Sequence, residues 1–197
     1  MCRPSVRHTF PDMVGMGRHL ILGVTSDDPI LSAIAPVGLA ASAGTALIVD
    51  LVADAPVAGH GRTLRDISVD GPRLPELSPG RQGVAVVRGG GLNSTEVVDV
   101  IDLLSGRWPA VVIRVGNGDS PYPTVPVVPL FPGVLAPIAL PPGGVWQSVR
   151  GGGEPPGPGP VLPRLSSLQI RRILAGHLPR MSRWVSAWKQ VWEMPWG

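Results

Sequence analysis

"HLILGVTSDDPILSAIAPVGLAASAGTALIVDL", His19 to Leu51, holds the reading that decides the fold. Its opening "HLILGV" is a continuous apolar run that closes on the acidic turn "TSDD". The residues that follow, 29–43, are rich in alanine and leucine, with Pro29 at the start and Asp27 or Asp28 placed to cap. That is the pattern of a helix packed on a sheet. Gly44 stops the helix, and "TALIVDL" is a second strand ending in Asp50. Neither apolar run alternates with polar residues, so both strands are covered on two faces, as in a parallel sheet flanked by helices.

The same grammar continues downstream. "GVAVVRGGG" (Gly83 to Gly91) reads as a third strand, and "NSTEVVDVIDLLSG" (Asn93 to Gly106) as a helix. Asn93 or Ser94 is placed to cap that helix, and Val97, Val98, Ile101 and Leu104 fall at helical spacing. "PAVVIRVG" (Pro109 to Gly116) supplies a fourth strand. "TVPVVPLFPG" (Thr124 to Gly133) supplies a fifth, and its three prolines fit an edge position. The expected class is α/β, a mostly parallel sheet between layers of helices.

Composition changes after Leu140. "PPGGVWQSVRGGGEPPGPGPVLPR", residues 141–164, reads as a Pro/Gly linker. Residues 165–197 form a basic, Trp-rich segment with one helix over about 166–177 and, beyond Pro179, a second. In that second helix Met181, Trp184, Val185, Trp188, Val191 and Trp192 share a face. The expected organisation is a flexible extension over 1–17, an α/β domain over 18–140, the linker, and the amphipathic segment.

Charge follows this division. From Gln147 onward seven basic residues face two acids, a net +5, while the rest of the chain carries ten against twelve, a net −2. Arginines flanking a tryptophan stripe suit an interfacial helix on an anionic membrane, or a helix docked on a partner or on its own domain. The contact residues in that reading are Trp184, Trp188, Trp192, Arg171, Arg172, Arg180, Arg183 and Lys189. A protein partner or a second copy of the chain is the expected associate, with peripheral contact at the inner face of the cell membrane beside it. Nucleic acid ranks below both, because the arginines are few and no base-stacking platform is visible.

Cys2 is the one cysteine, which excludes an intrachain disulfide and a cysteine zinc cage. No run reaches the roughly 18–20 apolar residues of a membrane-crossing helix, and the N-terminal stretch lacks the apolar core of a secretory signal. A cytoplasmic location follows as the default. The four histidines have no metal-ligand spacing, and no Gly-x-Ser-x-Gly elbow or Cys/His pair supports nucleophilic catalysis.

The order of "LILGVTSDDPILSAIA", "ALIVDLVADAP", "GRTLRDI", "GVAVVRGGG", "WPAVVIRVG" and "VPVVPLFPG" resembles the ParA/MinD family of P-loop ATPases over about Arg18 to Ile138. The resemblance implies a P-loop NTPase-like three-layer domain. In that family the acid ending the second strand assists nucleotide and metal chemistry, and Asp50 is the matching position. MinD-type proteins also carry a C-terminal amphipathic helix.

The departures fall on the chemistry. The phosphate loop of such ATPases is glycine-rich and carries lysine, whereas here it is "GVTSDDPI", with two aspartates. No lysine occurs between Leu20 and Leu140, Lys189 being the only one in the chain. The fourth strand, where the family places an acid, ends in Arg114.

Asp50, Asp27 and Asp28 therefore read as a vestigial nucleotide site with no catalytic residue, metal or cofactor. A hard cation among Asp27, Asp28, Asp50 and Asp54 is a lesser reading. The expected function is a non-catalytic regulatory or scaffolding protein, in contexts such as division-site selection, pilus or secretion assembly, or DNA partition. The alternative is an active ATPase that binds ATP and magnesium through arginine or a partner subunit.

Overall fold

The computed structural model describes residues 20–52, 61–73, 83–92, 96–116, 120–131, 143–150, 153–179 and 182–196. Strand β1 (Leu20–Thr25) leads into helix α1 (Pro29–Ala43), and the chain returns along β2 (Ala46–Asp50). Asp28 is the N-cap of α1, with Pro29 in its first turn, and Gly44 ends it at φ 81°, a conformation that suits glycine. The segment "GRTLRDI" forms α2 (Leu64–Asp70) because Thr63 and Asp66 close a capping box at its start. Strand β3 (Val84–Arg88), helix α3 (Val98–Ser105) and strand β4 (Ala110–Arg114) follow. Val97 stands at the N-cap of α3 without a side-chain hydrogen bond, while Asn93 and Ser94 lie outside the described residues.

Strands β5 (Thr124–Leu130), β6 (Val145–Ser148) and β7 (Val161–Leu162) complete the sheet, and α4 (Ser167–Leu174) and α5 (Arg183–Glu193) close the chain. Every pairing is parallel, in the order β3-β2-β4-β1-β5-β6-β7. The α/β three-layer class expected from the sequence is the observed one. Alternation along the strands feeds two cores. Ala46 and Ile48 of β2 belong to the core beneath α1, α4 and α5, whereas Leu47 and Val49 belong to the core beneath α2 and α3. Below the second core the Tyr122 hydroxyl donates to Asp102 Oδ1 at 2.9 Å, and burial, then this carboxylate, push the phenol above its ordinary pKa.

Three expectations change. The fifth strand is not an edge: β5 lies between β1 and β6. It pairs with β1 only as far as Pro126 and with β6 only from Val127 onward. Backbone alternation aims Pro126 toward β6 before that pairing begins, and Pro129 toward β1 after that strand has ended. Neither proline therefore removes a bond the ladder needs. Ser26 Oγ reaches over the end of β1 to donate to the Val127 carbonyl at 2.6 Å.

The stretch 141–164 is more than a linker, since β6 and β7 lie within it and Trp146 and Leu162 are buried. Proline carbonyls there act as acceptors, Pro160 O for the Trp146 amide at 2.9 Å and Pro158 O for its indole at 3.4 Å. One sheet thus runs through the expected boundary at 140.

The tryptophan stripe of α5 turns inward onto α1. Trp184, Val185, Trp188 and Val191 are buried. Gly38 makes this approach possible, because a Cβ there would overlap the indole of Trp188 and the ring of Trp184. Trp184 and Trp188 meet edge to face at 5.8 Å. The Trp184 indole donates to Gln147 Oε1 at 2.7 Å, and that of Trp192 to Ser42 Oγ at 3.0 Å. Of the surfaces this helix was expected to meet, the structure places its own domain against the indoles.

Candidate functional site

In a parallel α/β sheet, ligands gather outside the carboxyl ends of the strands. Here β1 ends at Thr25, β2 at Asp50 and β4 at Arg114, and Asp50 is level with Arg114 in the ladder. Equal register and equal strand parity put both side chains on the α1 face of the sheet. Arg114 Nη1 lies 3.1 Å from Asp50 Oδ2, with side-chain exposures of 6% and 1%. The same guanidinium donates through Nε to Ser32 Oγ of α1 at 3.2 Å. Asp50 Oδ1 accepts the Val52 N–H at 3.1 Å.

Both carboxylate oxygens of Asp50 are thus engaged, and its charge is balanced within the fold. A charged pair this deep holds only when its hydrogen bonds are completed, and Ser32 and the Val52 amide complete them.

The loop from β1 to α1 is where this architecture can offer backbone amides to an anion. In this chain the amides of the first turn of α1 already have acceptors within the fold. Asp28 Oδ1 accepts from Ile30 at 2.9 Å and from Leu31 at 2.8 Å, and the Asp28 carbonyl accepts from Ser32 at 2.8 Å. Pro29 has no N–H to give. The Asp28 amide turns back to Ser26 Oγ at 3.3 Å. The Asp28 carboxylate thus sits at the N-terminus of α1, where the positive end of the helix dipole favours it.

No family model, curated protein or solved structure matches the chain. The site's chemistry rests on its own geometry.

The predicted residues separate accordingly. Asp50 and Asp28 both lie at the carboxyl edge, but each is satisfied by its own partners, and Asp27 is exposed beside them. Asp54 lies outside the described residues, and among those described no group of three His, Cys, Asp or Glu residues could hold a metal ion. Arg171, Arg172, Arg183 and Lys189 are exposed on α4 and α5, away from the buried indole face, and Arg180 lies outside the described residues. Arg114 was legible as a departure from the family's acid, but its partnership with Asp50 was not. The signal was present in "ALIVD" and "AVVIR", two five-residue strands of matching length whose last residues carry opposite charge.

Proposed function

We propose that this chain is a non-hydrolysing, ParA/MinD-like regulatory or scaffolding protein that positions partners in the cytoplasm rather than turning over nucleotide. The observation that carries the reading is the closure of the anion cradle. Asp28 caps the first amides of α1, and Arg114 takes the carboxylate of Asp50. A triphosphate entering here would meet the Asp28 carboxylate with no lysine nearby, a repulsion of about 4 kcal/mol per charge pair at 4 Å and an effective dielectric of 20. Phosphate release from ATP with magnesium tests it. The expected rate for the wild-type chain equals that of buffer, and turnover that disappears in Asp50→Ala would establish the active-ATPase alternative.

Attachment, in this reading, uses the outer face of α4 rather than the tryptophans. Leu168 and Leu174 are exposed at 60% and 41% beside the exposed Arg171 and Arg172. An acidic protein surface with an apolar centre fits that combination. No described helix is long and apolar enough to cross a membrane. Flotation with anionic vesicles separates the two surfaces: the full chain is expected to stay with the soluble fraction, and co-flotation lost in Leu168→Glu would assign the face to lipid instead.

A further inference from the structure

Beside the closed cradle, on the other side of the first turn of α1, the sheet edge opens into a cavity of about 280 Å³. Its floor is apolar, formed by Leu31 and Ile34 of α1 with Leu165 and Ile170 from the entry and first turns of α4. Ile30 and Phe131 stand at its wall with 47% and 48% of their surfaces exposed, although each is a large apolar side chain. Arg150 and Arg164 line the same space, and neither guanidinium has an ion pair or hydrogen bond among the described residues. Asp28 is the one acid among the lining residues, and its Oδ1 is held by the α1 amides.

These features select a ligand. Two guanidiniums above an apolar floor call for an anion with an apolar body, and a planar carboxylate matches the guanidinium fork. The Asp28 charge disfavours a polyanion, for which each added negative charge is a further repulsion. At roughly 30 Å³ per water the cavity has room for about nine waters, the bulk of an organic molecule of about ten non-hydrogen atoms. We infer that this cavity is a binding site for a medium-chain organic monocarboxylate, its carboxylate between Arg150 and Arg164 and its chain on Ile30, Leu31, Phe131 and Ile170. The site is separate from the Asp50–Arg114 pair, and the inference holds whether or not the chain hydrolyses ATP.

Calorimetric titration of the full chain with octanoate tests it, with octan-1-ol and inorganic phosphate as the two half-ligands. Saturable one-to-one binding of octanoate is expected, with octan-1-ol at least about ten-fold weaker and phosphate not binding. The exposed double variant Arg150→Gln/Arg164→Gln is expected to weaken octanoate at least about ten-fold, the order of one charge-assisted pair. Arg107→Gln, on the opposite face, should leave it unchanged. The inference is overturned if octanoate fails to saturate by about 1 mM, if octan-1-ol or phosphate binds as well, if the double variant binds normally, or if Arg107→Gln weakens binding equally.

Discussion

Asp50 and Arg114 set the character of the site one residue at a time. Removing one partner strands the other charge where its side chain is almost wholly out of water. Asp50→Leu and Arg114→Met are each expected to lower unfolding free energy by about 3–5 kcal/mol, while the two together should cost less than either alone. Urea unfolding of the three variants measures this, and additive losses would show that the pair is not coupled. The position of Asp50 was legible in the sequence, because an apolar run closed by an acid after a strand-helix unit marks the sheet's carboxyl edge. Its chemistry was not, since that depends on which strand becomes its neighbour. Strand order is a long-range choice that no window of sequence around "ALIVD" contains.

At the scale of elements, local signals were strongest where capping and apolar continuity agreed. α1, bounded by Asp28–Pro29 and Gly44, was readable for that reason. β5 was misplaced because a proline's cost depends on which neighbour it faces, and the staggered pairing of β5 with β1 and β6 hides both prolines. β6 and β7 were masked by their Pro/Gly surroundings, though Trp146 and Leu162 are core residues. The tryptophan stripe of α5 marked a buried face without naming its partner, and Gly38 on α1 was the counterpart that went unread.

Gly38 supplies the test at this scale. Gly38→Val places methyl groups where the rings of Trp184 and Trp188 now lie, and the overpacking is expected to cost about 1–3 kcal/mol or to lift α5 from α1. Denaturant unfolding reads the first effect, and a red shift in tryptophan emission reads the second. A variant with wild-type stability and emission would contradict the docking.

For the whole molecule, an all-parallel sheet lies between layers of helices, and at its carboxyl edge Asp28, Asp50 and Arg114 are held by partners within the fold. The two cores of the sheet hold Trp108 on one face and Trp188 on the other. The C-terminal helix joins the domain as a structural layer, while Arg171 and Arg172 of α4 and Arg183 and Lys189 of α5 remain exposed.

The central claim, that Asp28 and Arg114 hold the anion cradle shut, is tested most directly by equilibrium titration of the full chain with ATP and magnesium. The account predicts no saturable heat up to about 1 mM nucleotide, a limit corresponding to binding weaker than about −4 kcal/mol. Saturable one-to-one binding that Asp50→Ala abolishes, with the fold intact by circular dichroism, would contradict it.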